Sequence, residues 1–297
     1  MKIRLWIRAL RLPFLTASLL PYLFGTLKAQ GGMRWTPFLL GLLAVGGTHL
    51  SANLMNDYAD SQSGVDWRDP TYYGFFGGSK LIQEGVFSPR FYLGLATGVA
   101  VLSFLAALAL AWILKRPIVP VFYLLILFLA WSYSQGPFRL SYRRLGELTV
   151  FLLFGPAAVV GGAFLQLGRF PPLPALFASL PFGFLTAAIL TANELPDAPE
   201  DLQGGKRTLV GWMGPSRGFL LYAGLVSCAY LCLFALLAFG RWNRLALFAF
   251  AAAPLGFRAA GILRTQYRRK EVLVRASKLT VALHTIVGLS MILGLQP

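Results

Sequence analysis

Asn56 and Asp60 stand four residues apart, and so do Asn193, Asp197 and Asp201; the first set repeats in the second at an offset of 137 residues, with Gly64 opposite Asp201. In a helix, residues four apart lie one above the other, so each set forms one oxygen-bearing stripe. Hard oxygens suit Mg2+, which takes one or two carboxylates per ion and fills the rest of its octahedron with water and substrate phosphate. Two facing stripes therefore imply two Mg2+ ions bridging a diphosphate. Helix capping and salt bridging account for one acidic cluster at the end of an apolar span, but poorly for two at matched spacing. The shared offset also suggests an internal repeat.

A basic, glycine-containing segment follows each stripe: Gly77-Gly78-Ser79-Lys80 after the first and Gly204-Gly205-Lys206-Arg207-Thr208 after the second. Neither is a P-loop, because the G-x-x-x-x-G-K-[ST] spacing is missing. Their charges still suit phosphate oxygens, which makes Lys80, Lys206 and Arg207 candidate diphosphate contacts. Arg139 joins them from a third basic group, in which Arg143 and Arg144 read as loop anchors. Ionising an allylic diphosphate leaves a carbocation that aromatic faces stabilise. Tyr58, Tyr72, Tyr73, Trp131, Tyr133 and Tyr142 are near enough in sequence, and Tyr58, inside the first motif, is the choice for that role.

The elements that must position these groups are membrane helices. The chain has 297 residues, 57% hydrophobic and 13% charged, and crossing the hydrocarbon core takes about 20 apolar residues per helix. Nine such stretches are predicted: 13–28, 37–55, 91–114, 118–134, 146–165, 172–193, 218–239, 243–263 and 279–296. Spans this uniformly apolar exclude the alternation of a barrel, so the expected fold is an all-α polytopic membrane protein around a central cavity. With the amino terminus in the cytoplasm, that face collects 20 of the 27 Lys and Arg, as the positive-inside rule requires. All 11 acidic residues fall on the same face, and both stripes end spans four crossings apart. The chemistry is expected there, at a cytoplasmic membrane, with the long 56–90 connection as a cap.

The formal net charge of +16 follows from that orientation and from anionic headgroups, without nucleic acid. Cys228 and Cys232 lack the second pair a metal site needs and read as packing residues. His49 and His284 read as buried, hydrogen-bonded structural histidines, and Arg264 to Lys278 as an interfacial anchor. The basic start, Met1 to Arg11, reads as part of a retained first helix.

The pair Asn56-Asp57-Tyr58-Ala59-Asp60 and Asn193-Glu194-Leu195-Pro196-Asp197, with Gly205-Lys206-Arg207-Thr208-Leu209 behind it, resembles the two motifs of the UbiA superfamily of intramembrane prenyltransferases. The resemblance extends to Arg11-Leu12-Pro13, to Gly77 through Gly85, to Leu145-Gly146-Glu147 and to Phe154-Gly155-Pro156. It implies one integral-membrane domain over 1–297, with the acidic motifs at 53–66 and 193–209, nine helices and a cavity open to lipid. It also implies Mg2+-dependent transfer of a polyprenyl group from its diphosphate to a small acceptor, usually aromatic. The family pattern assigns Asn56, Asp60, Asp197 and Asp201 as metal ligands, with Asp60 and Asp197 at the centre of catalysis. Gly64 departs from that pattern, and Asp66 takes its place as in the naphthoate-prenylating branch. Asn53, Asp57 and Asn193 are supporting residues.

That branch, the 1,4-dihydroxy-2-naphthoate polyprenyltransferases of menaquinone synthesis, is the reading for the acceptor. 4-Hydroxybenzoate, homogentisate or a non-aromatic acceptor is the alternative. A CDP-alcohol phosphotransferase is disfavoured by the missing D-G-x-x-A-R motif. A cation transporter is disfavoured because the acids stand at helix ends rather than at the bilayer midplane.

Overall fold

The computed structural model describes residues 2–29, 32–240 and 242–295. The helices in chain order are α1 Lys2–Ala9, α2 Thr16–Lys28, α3 Trp35–Ser63, α4 Pro89–Leu114, α5 Ile118–Ser132, α6 Gly146–Leu152, α7 Ala158–Leu167, α8 Leu173–Gln203, α9 Leu209–Met213, α10 Gly218–Phe239, α11 Phe248–Ala251, α12 Ala253–Thr265 and α13 Lys270–Leu293. There is no strand among the described residues. A single isolated bridge joins Arg143 to Arg207.

Each predicted span corresponds to helix among the described residues, residue 296 at the end of the last span lying outside them, but the count of nine is not reached by length and composition. Seven helical segments among the described residues are long and apolar enough to cross a membrane, and an eighth results if Ile3–Ala9 and Leu12–Lys28, bent by 52°, form one span. α5 has 15 residues, about 22 Å of helix against a hydrocarbon core of about 30 Å. The two motif helices are longer than predicted: α3 runs to Ser63 and α8 to Gln203, so both acidic stripes are fully helical. α13 begins nine residues before the predicted span, which turns the second half of the supposed anchor into helix.

Local chemistry sets several of these ends. Ser88 accepts from the backbone N–H of Phe91 and Pro89 occupies the first turn of α4, where its missing N–H leaves nothing unpaired. Thr208 caps α9 by accepting from Gly211. Between α6 and α7 the helix widens into a π turn over Leu153–Ala157, around Pro156. Proline removes a backbone donor, and a π turn is one way a helix absorbs that loss.

α8 is the central element and packs against α6, α7, α10 and α13. Without a hydrophobic drive between helices in lipid, association depends on close packing, which small residues permit. A Cβ on Gly155 would come within 2.7 Å of the Gly183 backbone, and one on Gly162 within 2.4 Å of the Tyr22 carbonyl oxygen. Gly161, next in sequence to Gly162, has nothing within 4 Å of a Cβ. Gly162→Val should therefore lower the melting temperature in detergent, at a cost of about 1–3 kcal/mol for overpacking. Gly161→Val, equally β-branched, should leave it nearly unchanged, and equal melting shifts would refute the close approach.

Candidate active site

A cavity of about 300 Å³ runs between α3, α5, α6 and α8. Its apolar part is lined by Ala44, Val45, Ile126, Ala130, Leu153 and Phe154, and its polar part by Asn53, Asn56, Asp60, Asp66, Asn193, Asp197 and Asp201. Ala44 and Asp60 lie 16 residues apart on one helix, or about 24 Å. A site with a charged end and a long greasy wall suits an amphiphile with an anionic head.

The two stripes converge on a lysine. Lys206 Nζ lies 3.6 Å from Asp60 Oδ2 and 3.4 Å from Asp201 Oδ2, which ties α3 to α8. Burial disfavours the ammonium, but Asp201 and Asp60 outweigh it and hold Lys206 protonated well above its ordinary range. Asp60 also accepts from the Asn56 amide nitrogen at 3.0 Å and from the Tyr142 hydroxyl at 3.1 Å.

The first loop folds into the cavity rather than over bare lipid. Gly77 donates its backbone N–H to Asp197 Oδ2 at 2.8 Å, and Lys80 Nζ pairs with Asp66 Oδ1 at 2.9 Å. Gly77 and Gly78 have φ of 72° and 80°, the left-handed region that favours glycine. A Cβ on Gly78 would also stand 3.0 Å from Asp66 Oδ2. Gly64 ends α3 with φ 82°. An αL residue just past a helix end is where glycine is preferred, and the turn it makes brings Asp66 into the cavity wall. Burial and the neighbouring Asp60 push the Asp66 carboxyl up to about 7, against the pull of Lys80.

Other expected residues stand elsewhere. Tyr58 does not line the cavity; it packs beside Leu54, Leu81 and Tyr92. Residue 58 is about 200° around the helix from Asn56, so the motif's own periodicity turns it away. Tyr73, Tyr123 and Tyr133 are the tyrosines in the wall. Asp57 faces away as well, buried in an ion pair with Arg11 and accepting from the Ser79 N–H at 3.2 Å. Arg207 and Arg139 are exposed and outside the lining, as are Arg143 and Arg144. Arg139 lies 5.3 Å over the Tyr142 ring and Arg144 5.2 Å over Trp212. In an extended segment, consecutive side chains point to opposite sides, so Lys206 turns in and Arg207 out. Neither nitrogen of the buried His284 finds a partner among the described residues, whereas His49 Nδ1 lies 2.8 Å from Ser18 Oγ and lines the cavity. Cys228 is exposed on α10 rather than packed.

Three groups in the wall escaped sequence reasoning. Arg11 reaches it from the turn before α2. Lys270 reaches it from the start of α13, pairing with Asp69 at 2.7 Å and Glu200 at 3.0 Å. Glu194 lines it from α8. Arg11 and Lys270 were hidden among basic residues at span ends, where charge is expected anyway. Glu194 did carry a signal, as a carboxylate beside an apolar run.

The donor set fits a hard cation. Asn56 uses its amide nitrogen toward Asp60 and Ser134, which leaves its oxygen as the ligand atom. Asn193 Oδ1 is buried with no partner, and Asp201 Oδ2 has only the charge contact with Lys206. No group of three or more His, Cys, Asp or Glu among the described residues is close enough to hold a metal by itself.

The same chain matches the model of the UbiA prenyltransferase family over residues 18–281. It is 32% identical over 270 residues to a 1,4-dihydroxy-2-naphthoate octaprenyltransferase of Mycobacterium tuberculosis, covering 90% of this chain and 89% of that one. Its fold is similar to the apo structure of a UbiA homolog from Aeropyrum pernix K1, with TM-score 0.72, 18% identity and coverage of 93% and 96% of the two chains. It is also similar to a UbiA homolog from Archaeoglobus fulgidus bound to DMAPP and Mg2+, with TM-score 0.65, 16% identity and coverage of 97% and 98%. With the acidic stripes, the amphiphilic cavity and these likenesses together, the chain belongs to the UbiA prenyltransferase family and is a membrane-embedded prenyltransferase.

Proposed function

We propose that this protein transfers a polyprenyl group from its diphosphate to 1,4-dihydroxy-2-naphthoate, with Mg2+, at the cytoplasmic face of a cell membrane. The observation that carries the reading is the convergence of the α3 and α8 oxygen stripes on Lys206 at the charged end of an otherwise apolar cavity. Support for the acceptor comes from the M. tuberculosis relative, whose name specifies that naphthoate. Support for Mg2+ comes from the donor set and from the A. fulgidus homolog with DMAPP. The cytoplasmic assignment rests on the Lys and Arg bias.

Asn56, Asp60, Asp66, Asp197 and Asp201 would hold the ions, with Asn193 in support. When bound, Mg2+ supplies Lewis-acid stabilisation of the diphosphate leaving group. Lys206, Lys80, Arg11 and Lys270 line the same end and bind phosphate oxygens through charge-assisted hydrogen bonds. The loop through Tyr73, Phe76 and Gly77 forms part of the wall and restricts water, while the tyrosine faces in the wall favour the allylic cation. The apolar part, from Leu153 and Phe154 to Ala44, receives the isoprenoid chain.

Purified protein in nanodiscs, given a polyprenyl diphosphate and Mg2+, should prenylate 1,4-dihydroxy-2-naphthoate in preference to 4-hydroxybenzoate or homogentisate. Chelator should abolish turnover and leave the melting profile of a folded protein. A higher kcat/KM for one of the other acceptors would overturn the naphthoate assignment, and full turnover in chelator would overturn the metal.

The two adjacent basic residues should separate. Lys206→Gln removes a buried charge-assisted contact worth about 1.5–3 kcal/mol, so the affinity for prenyl diphosphate should fall about 10- to 100-fold. Arg207→Gln, on the exposed side, should change it less than about 3-fold, within the small effect usual for a surface substitution. Binding isotherms for the two variants decide the point.

A further inference from the structure

Beyond the acid stripes, and unlike Asp69 and Glu200, which pair with Lys270, a further carboxyl group in the wall has been assigned neither metal nor diphosphate. Glu194 is 5% exposed and lines the cavity; its Oε1 accepts a long hydrogen bond from the Tyr133 hydroxyl at 3.4 Å, and its Oε2 has no partner. Glu147 of α6, its electrostatic neighbour, is equally buried, and neither of its oxygens has a partner. The backbone between them is tight: a Cβ on Gly146 would stand 3.4 Å from Glu194 Oε1 and 3.5 Å from the Tyr133 ring. Buried polar atoms are normally hydrogen-bonded, and each exception calls for an explanation.

Its place on α8 narrows that explanation. Thr186, Leu190 and Glu194 recur every four residues and share one face of the helix, and all three line the cavity. Glu194 thus stands where the charged end gives way to the apolar wall, beside the Tyr133 hydroxyl. No Lys or Arg pairs with it within 4.0 Å among the described residues, in contrast to Asp60, Asp66 and Asp201. A carboxylate oxygen without a cation, next to an aromatic ring and one turn from the diphosphate end, is built to accept a hydrogen bond from a neutral donor.

We propose that Glu194, held by Tyr133, binds the hydroxyl group of a hydroxylated aromatic acceptor and takes its proton during attack. As the ring carbon forms its bond to the allylic carbon, the C–O bond to diphosphate breaks and its electron pair leaves with the diphosphate. The hydroxyl proton passes to Glu194, so the ring reacts with the electron density of its oxyanion. Loss of the group displaced at the attacked carbon, as H+ or as CO2 from a carboxylate there, restores the aromatic ring. Glu194 is then a catalytic residue, and Tyr133 is a positioning residue. The proposal rests on the prenyltransferase reading, yet needs only that the acceptor carry a ring hydroxyl, whichever aromatic it is.

The test compares each acceptor with its methyl ether. Wild-type protein in nanodiscs, with Mg2+ and a non-hydrolysable thiolodiphosphate analogue of the prenyl donor, should bind 1,4-dihydroxy-2-naphthoate and 4-hydroxybenzoate at least 10-fold more tightly than their methoxy forms. Glu194→Gln should abolish that ratio and lower kcat with the true donor about 10²- to 10⁴-fold, the range of a general base. Its affinity for the donor analogue should change less than about 3-fold. Tyr133→Phe should lower the hydroxyl-to-methoxy ratio in the same direction, and gives the answer if Glu194→Gln does not insert. An unchanged ratio in Glu194→Gln, or in Tyr133→Phe where Glu194→Gln does not insert, would overturn the proposal. Loss of Mg2+-dependent donor binding in Glu194→Gln with the ratio intact would overturn it too, by making Glu194 a metal ligand. Preference for 4-hydroxybenzoate over the naphthoate would instead count against the naphthoate assignment and leave the role of Glu194 standing.

Discussion

Carboxylates gathered at the end of an apolar bundle must be neutralised, because a charge held near hydrocarbon is unfavourable by several kcal/mol. Here Lys206 lies between Asp60 and Asp201, Lys80 on Asp66, Arg11 on Asp57 and Lys270 between Asp69 and Glu200. The Arg11–Asp57, Lys206–Asp60, Lys270–Asp69 and Lys270–Glu200 pairs join segments far apart in sequence, so the compensation of charge also fixes the cytoplasmic ends of α3, α8 and α13 relative to the loops. A site that must gather cations around anions can use the same groups for a diphosphate and its metal ions. Positive side chains already placed beside the acids need little rearrangement when an anion enters.

The glycine-rich loop meets a second demand, which is backbone proximity. Gly77 and Gly78 adopt positive φ, which places the Gly77 N–H against Asp197 and the Ser79 N–H against Asp57, and a Cβ on Gly78 would crowd Asp66 and Arg11. Lys80 follows at φ 56°, so this turn directs its ammonium back onto Asp66. Deeper in the bundle, small residues do the corresponding work. The Gly155 and Gly183 crossing brings the π turn against α8. Polar loop and apolar core thus depend on the same property of glycine at two different depths.

The amphiphilic wall explains how one cavity serves a charged leaving group and an isoprenoid chain together. Residues of α3 from Ala44 to Asp60 run from apolar to acidic along about 24 Å. Residues of α8 do the same from Thr186 to Asp201, with Glu194 at the changeover. Both helices carry the gradient in the same direction, because both end on the same face of the bundle.

Sequence alone determined the membrane class, the helical nature of the spans and the convergence of the Asn56 and Asp60 stripe with that of Asp197 and Asp201. These follow from hydropathy, a four-residue period and the parity of crossings, all of which are local or additive along the chain. Local rules also had the means to turn Tyr58 away from the cavity, since its angle from Asn56 is fixed by the helix. What the tertiary structure decided was which of many interfacial cations face inward. Lys206 and Arg207 are neighbours of equal charge, yet one is buried between two acids and the other exposed. Lys270 and Arg11 belong to basic runs that the positive-inside rule already explains, so nothing in their composition marks them. The burial of Glu194 near Glu147 likewise depends on α6 lying against α8. The inward or outward fate of a charged side chain is set by the packing of segments remote in sequence, and no local period encodes it.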